Sequence, residues 1–280
     1  MAKKSSNLVT RVVTAVVSIP ILLAIIFLAP PWAAFALVTF AGLVTTWEYC
    51  SMTYGDEHRP GKVVATLLSG GVAATLYFVD DLQWFLFAVA ASFLVIFLLF
   101  LFTYKDQKRV THQIGSSLTG ILYGGVVLAT MSLLMRDGGD AGPFWFVLVM
   151  IVVWSSDTGA YFAGRFLGKH KLYEAVSPNK TIEGSMGGLL ASVGVAFLFN
   201  ELFAMDASWV SMELWQVLVL AIPANLLSQV GDLCASLAKR AHEVKDSGRI
   251  FPGHGGMIDR IDGLIFAAPW FYFVLLYFVA

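Results

Sequence analysis

Residues 215–240 read WQVLVLAIPANLLSQVGDLCASLAKR. The stretch is long and apolar enough to cross a bilayer, which takes about 20 mostly apolar residues in a helix. It nevertheless carries Asn225, Gln229, Asp232 and Ser236 before closing on Lys239 and Arg240. These positions recur at intervals of 4, 3, 4 and then 3 or 4 residues, which places them on one helical face. An ionisable group at membrane depth is costly unless paired or wetted, so this face turns toward a bundle interior or a water-filled cavity. Glue between helices would account for Asn225 or Gln229 alone; it accounts poorly for Asp232 running on into a Lys-Arg pair.

The rest of the chain is built in the same way. Of 280 residues, 58% are hydrophobic and 13% charged, against roughly 25% charged in a soluble domain, and the mean hydropathy is +0.76. Nine candidate spans can be drawn, at 8–30, 32–54, 62–79, 82–104, 113–135, 143–164, 182–204, 214–238 and 261–280. Their uniform apolarity excludes porin-type strands, which alternate over about ten residues. The expected fold is an all-α polytopic integral membrane protein of about nine transmembrane helices.

With the N-terminus in the cytoplasm, nine spans put every Lys and Arg except Arg136 on the cytoplasmic side, as the positive-inside rule requires. The polar loops 165–181 and 239–260 then both face the cytosol. The first segment is preceded by Lys3, Lys4 and Arg11, and Ala34-Phe35-Ala36 resembles a cleavage site. Its apolar run exceeds a signal-peptide core and further spans follow at once, so it is read as a retained span. Cys50 and Cys234 fall near cytoplasmic ends, where no disulfide is expected, and with five scattered His they form no zinc-ligand pattern.

Two further stretches carry polar residues. In WSSDTGAYFAGRFLGK, residues 154–169, Asp157, Tyr161 and Arg165 recur every four residues and form a second stripe; an ion pair of Asp157 with Arg165 is the structural alternative. The glycines there do not have the G-x-x-x-x-G-K-[ST] spacing and no strand precedes them, so this is not a P-loop. In SPNKTIEGSMGG, residues 177–188, Ser177 and Pro178 read as a helix start, which places Lys180 beside free backbone N–H groups and suits it to an anion. Gly184 and Gly188 make a G-x-x-x-G, whose default meaning is close helix packing. Finally KDSGRIFPGHGGMIDRID, residues 245–262, sets Lys245, Arg249 and Arg260 beside a Gly-Pro loop and the pair Asp259 and Asp262. Capping of the last helix explains either Asp alone, though not the cations and glycines beside them.

Carboxylates gathered without a cation repel by about 4 kcal/mol per pair at about 4 Å and an effective dielectric of about 20. Mg²⁺ removes that penalty and typically takes one or two carboxylates plus phosphate oxygens. Carboxylates, Lys and Arg, and a Gly loop at a membrane interface therefore point to phosphoryl or nucleotidyl transfer on a lipid phosphate.

At these residues the chain resembles the phosphatidate cytidylyltransferases, or CDP-diacylglycerol synthases. Their signature runs S-x-[apolar]-K-R, four residues, K-D, then a Gly-containing stretch to H-G-G-[apolar]-x-D-R-[apolar]-D. Residues 236–262, SLAKRAHEVKDSGRIFPGHGGMIDRID, match every fixed position, with Ala238 smaller than the usual apolar residue. The likeness spans roughly 150–280 and is only hydropathic before that. It implies transfer of the cytidylyl group of CTP to phosphatidate in the membrane, giving CDP-diacylglycerol and pyrophosphate. By the same resemblance Asp232 and Asp259 ligate Mg²⁺, and Asp262 assists with a second, monovalent cation such as K⁺. Lys239, Arg240, Lys245 and Arg260 neutralise the two phosphate groups, and Ser236 donates a hydrogen bond. His254, Gly255 and Gly256 shape the loop over the nucleotide, and Asp157, Lys180 and Asp246 complete the substrate-binding set.

The family further suggests a homodimer in the cell inner (cytoplasmic) membrane, multi-pass, with its active site on the cytoplasmic side and no nucleic-acid partner. Residues 1–110 then form an N-terminal wall, and 111–280 the catalytic region. One rival is a transporter using Asp157 and Asp232 within the membrane, which predicts inverted repeats that are not evident here. Another Mg²⁺-dependent lipid-phosphate transferase is the other; the D-x-x-D-G-x-x-A-R run of the CDP-alcohol phosphotransferases is missing.

Overall fold

The computed structural model describes residue 16 and residues 18–279, apart from 207, 210 and 251–254. Among the described residues eight helical runs are long and apolar enough to cross a membrane. They are α2 (Pro31–Tyr54), α3 (Arg59–Phe78), α4 (Leu82–Thr103), the run Gln107–Asp137, the run Gly139–Leu167, α8 (Ile182–Phe203), α9 (Leu214–Ala241) and the run Ile258–Val279. Gln107–Asp137 comprises α5 (Gln107–Ile121), a π-helical stretch Leu122–Val127 and α6 (Thr130–Asp137). Gly139–Leu167 is mostly α7 (Gly142–Leu167), and the last run is α10 (Ile258–Val274) with a terminal π turn. Each matches one of the segments expected from 32–54 onward. The expected first span, 8–30, lies largely outside the described residues, and its described part is the shorter helix α1 (Ser18–Leu28). The chain is a multi-pass, all-α membrane protein.

One local expectation is corrected. Ser177–Pro178 does not start a helix: Lys171–Tyr173 (β1) and Ser177–Thr181 (β2) pair as a small antiparallel hairpin, with Lys171 opposite Thr181. The residue before a proline is pushed toward extended backbone, which favours a strand at Ser177. The helix begins instead at Ile182, because the Thr181 hydroxyl accepts a hydrogen bond from Gly184 N at 3.0 Å and so caps it. Glu183 fastens the same open end of the hairpin, accepting from Lys169 N and His170 N at 3.1 and 3.2 Å.

The contacts divide the chain into two compact units, one of residues 1–129 with 242–260, the other of 130–241 with 261–280. The first is centred on Cys50, Tyr54, Ala65, Val72, Ile96, Phe100 and Ile121. Cys50 is fully buried there as a packing residue. His58 caps α3 by accepting from Gly61 N at 3.0 Å and stacks on Phe100 with ring centres 4.3 Å apart.

The second unit rests on close packing of α7 against α8. A Cβ at Gly184 would lie 2.9 Å from Ala160 O, and one at Gly188 2.8 Å from Ser156 O. The G-x-x-x-G is thus a packing device. Asn225, fully buried on α9, ties three helices together. Its amide donates to Ser156 Oγ at 2.7 Å and Ser192 Oγ at 2.9 Å, and its carbonyl accepts from Gln229 Nε2 at 2.6 Å. Such bonds within membranes average about 0.6 kcal/mol each. Replacing Asn225 by Leu is expected to cost about 2 kcal/mol of unfolding free energy, read by denaturant titration in mixed micelles. An unchanged midpoint would show that the network does not hold the helices.

Candidate active site

In the second unit, the C-terminal half of α7, the hairpin, the start of α8 and the middle of α9 enclose a cavity of about 600 Å³. Its lining includes Asp157, Tyr161, Arg165, Asn179, Lys180, Gln229 and Asp232. The stripe 157–161–165 and the Gln229–Asp232 part of the α9 stripe therefore open into one space. Lys180 Nζ lies 2.5 Å from Asp232 Oδ2, both side chains about a third exposed or less. The lysine reaches the carboxylate from β2, where the strand holds it half-buried. Arg165 donates to the Tyr161 hydroxyl at 2.8 Å. Gln229 exchanges hydrogen bonds with Ser185, accepting from its hydroxyl at 2.5 Å and donating to its carbonyl at 3.2 Å.

Asp262 belongs to the same unit. The charged groups acting on it are Asp232, Lys239 and Asp157, so carboxylates from α7, α9 and α10 come within electrostatic reach of one another. Gly263 N donates to Asp262 Oδ1 at 2.8 Å and fixes the carboxylate. Gly231 is buried where any side chain would run into the Asp262 carbonyl, which lets α9 and α10 approach. One turn beyond Asp232, Ser236 Oγ lies 3.4 Å from Asp232 Oδ1. Lys239 is half-buried and Arg240 exposed.

The remaining motif residues lie in the first unit, in 242–260. Lys245, Asp246 and Arg260 are exposed, and His254 lies outside the described residues. Asp259 Oδ2 accepts three hydrogen bonds, from Ser247 N at 2.8 Å, Gly256 N at 3.0 Å and Ser247 Oγ at 3.1 Å. Gly255 has φ +82°, left-handed backbone, and a Cβ there would sit 2.7 Å from Asp259 Oδ2; glycine is required on both counts.

Beside this loop stands a residue the motif reading did not identify. Glu48 of α2 is 6% exposed. It accepts from Met257 N at 2.9 Å, Ile258 N at 3.1 Å and Ser247 Oγ at 2.9 Å. It is the one charged residue in segment 32–54, and that isolation was the available signal.

Carboxylate oxygens are hard donors suited to Mg²⁺. Among the described residues no three His, Cys, Asp or Glu form a closed metal cage.

A model of the cytidylyltransferase family matches residues 9–278. Among curated relatives, a phosphatidate cytidylyltransferase of Staphylococcus haemolyticus is 46% identical over 128 residues, 46% of this chain and 47% of that protein. The same name is carried by a Bacillus subtilis protein, 38% identical over 144 residues, 51% of this chain and 52% of the relative. A Brucella suis protein of that name is 44% identical over 156 residues, 55% of this chain and 54% of the relative. The chain thus spans about half the length of the curated relatives it matches.

Proposed function

Because the chain belongs to the cytidylyltransferase family, we propose that it transfers the cytidylyl group of CTP to phosphatidate, giving CDP-diacylglycerol and pyrophosphate for phospholipid synthesis. The observation that carries this reading is the cavity in which Lys180 and Asp232 meet, with Asp157, Tyr161 and Arg165 around them. It offers carboxylates and cations in one space, the set that a nucleoside triphosphate and its divalent counter-ion need. The relatives' shared name supplies the substrates.

Asp232 and Asp262 would hold Mg²⁺, and Asp259 is a candidate ligand on the motif resemblance alone. When bound, the metal supplies positive charge to the triphosphate and the leaving pyrophosphate. A monovalent cation such as K⁺ accompanies it by family resemblance. Lys180, Arg165 and Lys239 bind phosphate oxygens, and Arg240, Lys245 and Arg260 supply cations where the loops leave the membrane. A phosphatidate oxygen then attacks the α-phosphorus of CTP. A new phosphoanhydride bond forms as the bond to the bridging oxygen breaks, and the electron pair leaves on pyrophosphate. The attacking phosphate is already ionised at neutral pH, so this chain need not provide a general base.

The cation bias supports a cytoplasmic N-terminus and cytoplasmic polar loops, on the side where CTP is found. Family resemblance alone suggests the cell inner membrane and a homodimer. The test is conversion of labelled CTP into organic-extractable product by purified protein with phosphatidate and Mg²⁺. Product that requires both phosphatidate and Mg²⁺ is expected. Product formed without phosphatidate, or none across varied lipid, detergent and K⁺ conditions, would overturn the assignment.

A further inference from the structure

We propose that Glu48 is a positioning residue that acts on Asp259 through Ser247. A carboxylate this deeply buried must have its acceptors satisfied, and removing its partners is expensive. Glu48 spends Oε1 on Met257 N, and Oε2 on Ile258 N and the Ser247 hydroxyl. Two of these donors are backbone amides at the start of α10, where the unsatisfied N–H groups and helix dipole favour a negative charge. Glu48 therefore caps α10 from α2, a segment 209 residues away in sequence from Met257.

The same loop orients Asp259. Ser247 Oγ stands 2.9 Å from Glu48 Oε2 and 3.1 Å from Asp259 Oδ2, so its single proton is shared between two carboxylates. Ser247 N and Gly256 N complete the hold on Asp259 Oδ2. All three donors to Asp259 belong to residues at or beside those that Glu48 grips. Two glycines make the arrangement possible: a methyl at Gly248 would run into Glu48, and one at Gly256 into Ser247 and Glu48. Outer partners of this kind fix the direction of a metal-binding carboxylate, and their loss typically lowers metal affinity or activity 10- to 100-fold. The proposal rests on the reading of Asp259 as a Mg²⁺ ligand.

The experiment uses the full chain in lipid nanodiscs with the variants Glu48→Gln and Gly248→Ala. Gln keeps the length and one acceptor but turns an N–H₂ toward donors; the Gly248 methyl pushes on the carboxylate and leaves Glu48 itself in place. Amide hydrogen exchange at Ser247 and across 255–259, the Mg²⁺-induced rise in melting temperature, and the Mg²⁺ dependence of turnover are measured together. Both variants should exchange at least about tenfold faster at these amides and need about tenfold more Mg²⁺ for half-effect. Unchanged exchange would overturn the clamp. Faster exchange with an unchanged Mg²⁺ requirement would reduce Glu48 to a packing role and overturn the positioning claim. A wild type that makes no CDP-diacylglycerol would sink the enzymatic reading alone, since exchange and the Mg²⁺-dependent melting shift still decide the role of Glu48.

Discussion

Asp232→Asn is expected to lower cytidylyl transfer at least a hundredfold while the protein remains folded. The substitution keeps the side chain's size and removes its charge, leaving Lys180 without the anion that now stands 2.5 Å from it. Hundredfold is about 2.7 kcal/mol of transition-state stabilisation, a modest demand on a carboxylate proposed to face both a metal and a triphosphate. The assay follows labelled CTP into the lipid phase, with circular dichroism and the melting temperature as controls. Asp262→Asn should fall in the same direction by less, because Gly263 N can still bond the amide oxygen. Activity retained by Asp232→Asn would move the metal site away from α9. Loss confined to misfolded protein would assign Asp232 to stability instead.

How much of this was legible beforehand depends on the range over which each signal acts. The spans were readable because bilayer thickness sets a length and apolarity that a sequence displays directly. The stripes 157–161–165 and 225–229–232 were readable for the same reason, since helical periodicity puts such positions on one face. What periodicity cannot display is a partner. That Asn225 meets Ser156 and Ser192, and so belongs to the packing, follows only from the fold. The hairpin was misread because Ser177-Pro178 satisfies a helix-start pattern locally, while strand pairing of Ser177 with Tyr173 and the Thr181 cap act against it. Glu48 lies further out of reach. Its meaning depends on Ser247, Met257 and Ile258, about 200 residues on, and nothing in segment 32–54 announces them.

Lys180→Met should separate two measurements that ordinarily move together. Lys180 was expected beside phosphate at a helix start; the strand places it instead on Asp232, at the edge of the same cavity. On the proposed reading, its ammonium, which now neutralises that carboxylate, would become available to phosphate oxygens once CTP and Mg²⁺ enter. Removing it takes a cation from the triphosphate, so kcat/KM for CTP should fall about a hundredfold, about 2.7 kcal/mol, with most of the loss in KM. Removing it also frees Asp232 Oδ2 of a competitor. A half-exposed ion pair is worth up to about 1 kcal/mol, so Mg²⁺ measured without nucleotide should bind up to about fivefold more tightly. Lys180→Arg keeps the charge and should recover part of the CTP affinity. A fall in both quantities would make Lys180 a support for the metal-binding carboxylate; tighter Mg²⁺ with unchanged KM would confine it to Asp232 and leave the triphosphate to Arg165 and Lys239.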